Sequence, residues 1–141
     1  MQSFYTLKQR ESKKILKAQT INAKNKKNIY REMNKLTKIA LVEIKKRNFN
    51  LKNFSKIVDD SWILKKSFSP SISNRKIDEI YNRCLNLGSY GGKISGAGGG
   101  GFLNIFSSKN KKKDIRELLY EYNFKEYNFN YYSEGITYKY I

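Results

Sequence analysis

Apolar residues recur at helical spacing through the first two thirds of this chain and alternate in strand fashion around and after a glycine-rich centre. Ile29, Met33, Leu36, Ala40 and Ile44 fall at three- and four-residue steps and predict a helix over 26–47 with one apolar face. A basic helix over 8–20, with Ile15 and Leu16 as its few apolar points, is expected before it. After the break at Asn48-Phe49-Asn50, the residues Leu51, Phe54, Ile57, Val58 and Trp62 give a second stripe over 51–67. Ser69-Pro70-Ser71-Ile72-Ser73 reads as a turn, with Ser73 and Asn74 as N-cap types for a helix carrying Ile77, Ile80, Tyr81, Cys84 and Leu87. Leu87-Gly88 supplies its stop. Short strands are expected at 4–6, 91–95 and 101–106, and a helix capped by Ser107 or Ser108 carries Ile115, Leu118 and Leu119. The end alternates aromatically through Tyr122, Phe124, Tyr127, Phe129 and Tyr131, then Ile136, Tyr138 and Tyr140. With a turn at Glu134-Gly135, that pattern predicts two antiparallel strands. Helices first and an antiparallel sheet later define an α+β class. No internal repeat or long linker interrupts it, so residues 1–141 read as one domain.

The centre changes the picture from fold to chemistry. Between Gly91 and Phe102 runs G-G-K-I-S-G-A-G-G-G-G-F, in which seven of twelve residues are glycine. A flexible linker of such composition is flanked by polar sequence, whereas this run lies between Lys93-Ile94 and Phe102-Leu103, both strand material. Dense glycine in a folded segment lets main-chain N–H groups approach a ligand, and rows of such groups suit phosphate. No Gly-Lys-Ser/Thr closes the run, so it is not a P-loop, and the acidic residue of a dinucleotide fingerprint is missing.

K-I-S-G-A-G-G-G-G-F resembles the third conserved motif of the GHMP small-molecule kinases. The flanking Ser61-Trp62-Ile63-Leu64-Lys65-Lys66-Ser67, Ile72-Ser73-Asn74, Ile77-Asp78-Glu79-Ile80-Tyr81 and Gly91-Gly92-Lys93 are most similar to kinases of the D-glycero-D-manno-heptose 7-phosphate type. The resemblance runs from about Phe4 to the last residue. It implies the C-terminal domain of such an enzyme: a four-stranded antiparallel sheet packed against helices, with a helical N-terminal part. It also implies ATP and Mg²⁺ as cofactors of the intact enzyme, and a sugar phosphate and nucleotide as its ligands.

By that resemblance, Lys93, Ser95, Gly96, Ala97, Gly98, Gly99 and Gly100 bind phosphate or substrate, and Asp60 is a candidate contact to a sugar hydroxyl. Each has a plainer reading: Lys93 as a solvated strand-end lysine, Ser95 as a turn hydroxyl, and Asp60 as part of a charged helix face beside Asp59, Lys65 and Lys66. Trp62 fits an apolar stripe better than a sugar-stacking platform. The family's phosphate loop, of the form P-x-x-x-G-L-G-S-S, has no counterpart, since the single proline is Pro70 and no glycine follows it. The family's acidic catalytic residue belongs to that same half, so no catalytic residue is assigned. The expectation is half of an enzyme, lacking the N-terminal nucleotide-binding half and inactive without it. Its first strand would then lack neighbours and favour self-association or a partner polypeptide. Relatives also place a glycine after the threonine matching Thr6, where this chain has Leu7, with Arg10 shortly after.

Composition adds less. The net charge is +17 and the pI about 9.9, which ordinarily suggests polyanions. Yet Lys, Asn, Ile and Tyr are all abundant while Pro is single and His absent, which is the profile of an AT-rich genome. Lys109–Lys113, with four lysines at a helix start, is unfavourable against the helix dipole and reads as exposed and mobile. Any polyanion contact would centre there. Cys84 is single and excludes an internal disulfide. No apolar run approaches the ~18 residues of a membrane span, and the chain reads as cytoplasmic. Beside the kinase reading stand a non-catalytic anion or sugar-phosphate-binding module and a basic nucleic-acid-binding protein. The alternating aromatics weigh against the last.

Overall fold

The computed structural model describes residues 1–7, 13, 15–17, 20, 26–130 and 133. Four strands, β1 (Gln2–Tyr5), β2 (Gly91–Ile94), β3 (Phe102–Phe106) and β4 (Lys125–Tyr127), form one antiparallel sheet in the order β2-β3-β1-β4. Among the described residues, besides the helical residues 13, 15–17 and 20, the helices are α1 (Lys27–Lys45), α2 (Leu51–Lys66), α3 (Arg75–Asn86) and α4 (Lys112–Glu121). The fold is α+β, as the residue pattern implies.

Phe4, Leu103 and Ile94 are directly opposed across β1, β3 and β2 and so share one face of the sheet. They join Ile77, Ile80, Tyr81 and Cys84 of α3 and Ile115, Leu118 and Leu119 of α4 in the core. Both helices end in the same device. Gly88 (φ +94°) follows α3, with Ser89 N–H bonded to Cys84 O at 3.1 Å and Gly88 N–H to Leu85 O at 2.9 Å. Asn123 (φ +62°) plays the same part after α4, with Phe124 N–H bonded to Leu119 O and Asn123 N–H to Tyr120 O.

Four expectations need correction. β1 does not lack neighbours: it lies inside the sheet, paired with β3 and β4, and among the described strands the outer ones are β2 and β4. On α2, the buried positions are Ser55, Asp59 and Trp62, while Leu51, Phe54, Ile57 and Val58 are only half-buried. The cause is Gly91 of β2, which lets α2 come so close that a Cβ there would stand 2.8 Å from both Ser55 O and Asp59 Cβ. On α1, Ile44 is exposed and Glu43 takes the inward place, accepting from Lys46 Nζ at 2.6 Å and Asn50 N–H at 3.3 Å. The Lys46 bond leads in holding the Glu43 carboxyl below its ordinary range. Finally, Lys111 and Lys112 are half-buried, with the Lys111 stem lying against Gly88, so only Lys109 and Lys113 of the basic run are exposed.

Of the basic helix expected over 8–20, residues 13, 15–17 and 20 are helical, and Ile15 is buried. Of the first strand expected through Tyr122–Tyr131, only Lys125–Tyr127 is strand and Tyr122 instead closes α4, while Arg10, Tyr131 and the second strand expected around Ile136, Tyr138 and Tyr140 lie outside the described residues. Among the described residues no helix is long and apolar enough to cross a membrane.

Candidate functional site

The glycine run turns out to contain two structures with different jobs. Gly91 and Gly92 belong to β2 and permit close packing; a Cβ on Gly92 would fall 2.1 Å from Asn104 O. Residues 95–101 are the loop proper, joining β2 to β3. Three clamps hold it. At its root, Ser95 N–H donates to Phe102 O at 2.8 Å. At its far end, Thr6 N–H donates to Gly101 O at 2.9 Å, while Gly101 N–H donates back to Thr6 Oγ1 at 3.0 Å. In its middle, Gly99 N–H donates to Ile72 O at 2.7 Å, in the 3-10 turn Pro70–Ile72. That docking explains Gly98: with φ +106°, its missing Cβ would meet Ile72 O at 2.7 Å and Ile72 Cα at 2.9 Å.

The loop is therefore divided. Gly98 to Gly101 are buried, Ser95 and Ala97 are half-buried, and Gly96 is exposed at the tip. The Gly99 N–H is committed to the protein, and the surface the loop presents is Gly96, with Ser95 and Ala97 half-buried beside it.

The side chains beside the loop include two that sequence reasoning missed. Lys65, near the end of α2, donates its ammonium to Gly96 O and brings positive charge to the tip. Asn104, in the middle of β3, donates Nδ2–H to Ser95 Oγ at 2.5 Å and is itself buried. Its signal was available: an asparagine interrupts the apolar strand Phe102-Leu103-Asn104-Ile105-Phe106, and a buried amide needs a partner. Lys93 is half-buried on β2, opposite Asn104. Its side chain lines a cavity of about 150 Å³ with Leu36, Ala40, Val58 and Ser61, between α1 and α2.

Asp60 is paired at 2.8 Å with Lys56, four residues back on α2. Its neighbour Asp59 is the buried one. Tyr81 OH lies 2.5 Å from Asp59 Oδ1 and 3.1 Å from Gly92 O, with one proton to share between them. Burial first, then the Asp59 carboxylate, pushes the Tyr81 phenol well above its usual range. This trio ties α2, α3 and β2 together beneath the loop. Trp62 is a core residue, 1% exposed. Leu7, at the position where the resemblance implies a glycine, adopts φ +53°, a left-handed geometry.

An α+β domain with a clamped glycine loop between two antiparallel strands defines the class. The chain matches the family described as GHMP kinases C terminal over residues 40–125 and belongs to it. It is 34% identical over 82 residues to D-glycero-alpha-D-manno-heptose 7-phosphate kinase of Campylobacter jejuni, a match covering 58% of this chain and 24% of that protein. Among solved structures it resembles the mevalonate kinase of Methanococcus jannaschii, with a TM-score of 0.71 and 25% identity over 89% of this chain and 37% of that one. It also shares the fold of the L. major mevalonate kinase crystallised with R-mevalonate, at a TM-score of 0.73 and 18% identity, covering 85% and 37% of the two chains. The chain thus spans about a quarter of its curated relative and just over a third of these kinases.

Proposed function

We propose that this chain is the C-terminal lobe of a heptose-phosphate-type sugar kinase, in which the loop of residues 95–101 forms one wall of the nucleotide and sugar-phosphate site. The observation that carries the reading is the loop: a hydroxyl, a lysine ammonium and an exposed glycine tip, gathered on a backbone that three clamps hold in place. The likeness to the Campylobacter jejuni heptose 7-phosphate kinase supports the choice of acceptor class.

ATP and Mg²⁺, when bound, would supply a γ-phosphoryl group for transfer and cationic charge for its phosphates. The contribution of this chain is positioning and charge. Ser95 donates its hydroxyl to a phosphate oxygen, and the positive charge of Lys65 favours an anion at the tip; Lys93 lines the cavity between α1 and α2 instead. Among the described residues no group of three His, Cys, Asp or Glu side chains is placed to hold a metal ion. The loop of the form P-x-x-x-G-L-G-S-S and the acidic residue come from an N-terminal half, in the same polypeptide or in another, and turnover requires that half.

The test is reconstitution. The purified chain is mixed with the N-terminal half of a heptose kinase, ATP, Mg²⁺ and heptose 7-phosphate, and ADP release is followed. Turnover is expected only with both halves, together with a rise in the melting temperature of this chain. Turnover by this chain alone would refute the half-site reading. Phosphate-induced shifts of the Gly96 amide without turnover in any mixture would favour the non-catalytic anion-binding module.

A further inference from the structure

Across the sheet, Lys93, Asn104, Ser3 and Tyr127 are directly opposed on β2, β3, β1 and β4, and so form one row on the face away from Leu103 and Ile105. Asn104 sits in the middle of that row, 9% exposed, flanked along its strand by Leu103 and Ile105, both at 1% or less. Asparagine is disfavoured in strands, and burying its amide costs free energy unless the amide is bonded. Nothing in the packing of the strand requires an amide here.

What the amide does is reach diagonally to the root of the loop and donate to Ser95 Oγ. A serine hydroxyl has one proton and two lone pairs. When one lone pair is occupied by a donor whose own position is fixed by the sheet, the proton of Ser95 turns away from Asn104. An aspartate at the same place would do the reverse, taking the serine proton for itself.

We infer that Asn104 is a positioning residue that fixes the Ser95 hydroxyl as a hydrogen-bond donor to an anionic oxygen at the loop. The inference rests on the anion-binding reading of the loop given above. Its chemistry is specific. The ligand group it serves accepts a hydrogen bond, as a phosphate ester oxygen does.

Sulfate is the probe, since its charge does not change between pH 4 and 7, and Gly96 and Ser95 amide shifts report its affinity in the full chain. Ser95→Ala is expected to weaken sulfate binding about tenfold to a hundredfold, the effect of one hydrogen bond to a charged group. Asn104→Leu should weaken it by about threefold to fivefold. The double variant should bind no more weakly than Ser95→Ala alone, because Asn104 acts only through that hydroxyl. Asn104→Asp should lose binding at pH 7 and recover it as the pH falls. A carboxyl buried at this position titrates above the ordinary Asp range, and its neutral form can donate to Ser95 as the amide does. Neither a purely structural role nor a simple loss of stability predicts that recovery.

Losses that add in the double variant, or an Asn104→Asp profile parallel to that of the unmodified chain, overturn the inference while leaving loop binding intact. An Asn104 side-chain amide resonance that does not move in Ser95→Ala overturns it as well, by removing the hydrogen bond. Absence of sulfate-induced shifts at Ser95 and Gly96 in the unmodified chain overturns the anion-binding reading, and this inference with it.

Discussion

Leu7 holds a conformation that its side chain opposes. At φ +53° a residue with a Cβ crowds the neighbouring carbonyl, at a cost of about 1–2 kcal/mol. Replacing it by glycine removes that cost but makes the unfolded chain more flexible, returning about 0.5–1 kcal/mol to the unfolded state. Glycine at this position should therefore exceed alanine in stability by roughly 0.5–1 kcal/mol, the reverse of their order in regular structure. The leucine side chain adds a separate contribution. It is 46% exposed, so about half of the ~1.5–3 kcal/mol of a fully buried leucine is at stake, or ~1 kcal/mol. The expected order is then Leu7→Ala least stable, by about 1 kcal/mol, with Leu7→Gly within about 0.5 kcal/mol of the unmodified chain. Urea unfolding of the three proteins with a shared m-value measures this directly. The contrast between the alanine and glycine variants cancels the lost side-chain contacts and isolates the backbone. If Leu7→Ala is as stable as Leu7→Gly, no left-handed turn follows β1, and the clamp between Thr6 and Gly101 is not built as described.

Three further outcomes are expected. Tyr81→Phe removes the hydroxyl shared by Asp59 and Gly92 and leaves the buried carboxylate with Lys56 at 3.6 Å; unfolding free energy should drop by about 1–3 kcal/mol, and a drop within measurement error would show that the trio is not a structural tie. Gly98→Ala combines φ +106° with a Cβ pressed to within 2.7–2.9 Å of the Ile72 backbone, so a loss of about 2 kcal/mol or more is expected, and an unchanged melting temperature would mean that the loop does not dock on the 3-10 turn. Burial pushes the Cys84 thiol from 9.0 up to about 12; the unfolded thiol ionises first, so stability is full below pH 9 and falls as pH rises from about 9 to about 12, by at most ~1.4 kcal/mol per pH unit from this group. The fall should be shallower for Cys84→Ala between pH 9 and 10.5, and identical slopes would contradict the burial of the thiol.

What the residue pattern conveyed, and where it stopped, follows from range. Periodicity located α3 and α4 with their buried residues, because an amphipathic stripe is a local record of which side meets the core. It misjudged α2, where the apolar stripe packs toward α1 while the small and polar Ser55 and Asp59 meet the sheet. That choice depends on Gly91, more than thirty residues away in β2, and no local window contains both it and the helix. Glu43 is the same kind of case, since its inward place is made possible by Lys46 and the Asn50 N–H just beyond the helix end.

The loop was legible in its spelling and less so in its use. Glycine density signals freedom of the backbone, but the same composition serves two demands that sequence alone does not separate: exposing N–H groups to a ligand, and letting one backbone pass close to another. Gly92 and Gly98 meet the second demand, as the space beside each shows; Gly96, exposed at the tip, is suited to the first. Rigidity is the reason both belong to one loop. An anion site of main-chain donors is effective only when the chain need not reorganise on binding, and it is the buried glycines, pinned to Ile72 and Thr6, that hold the exposed one in place. A substitution at a buried glycine should thus weaken an anion it never touches, and a substitution at the tip should weaken the anion without altering the fold.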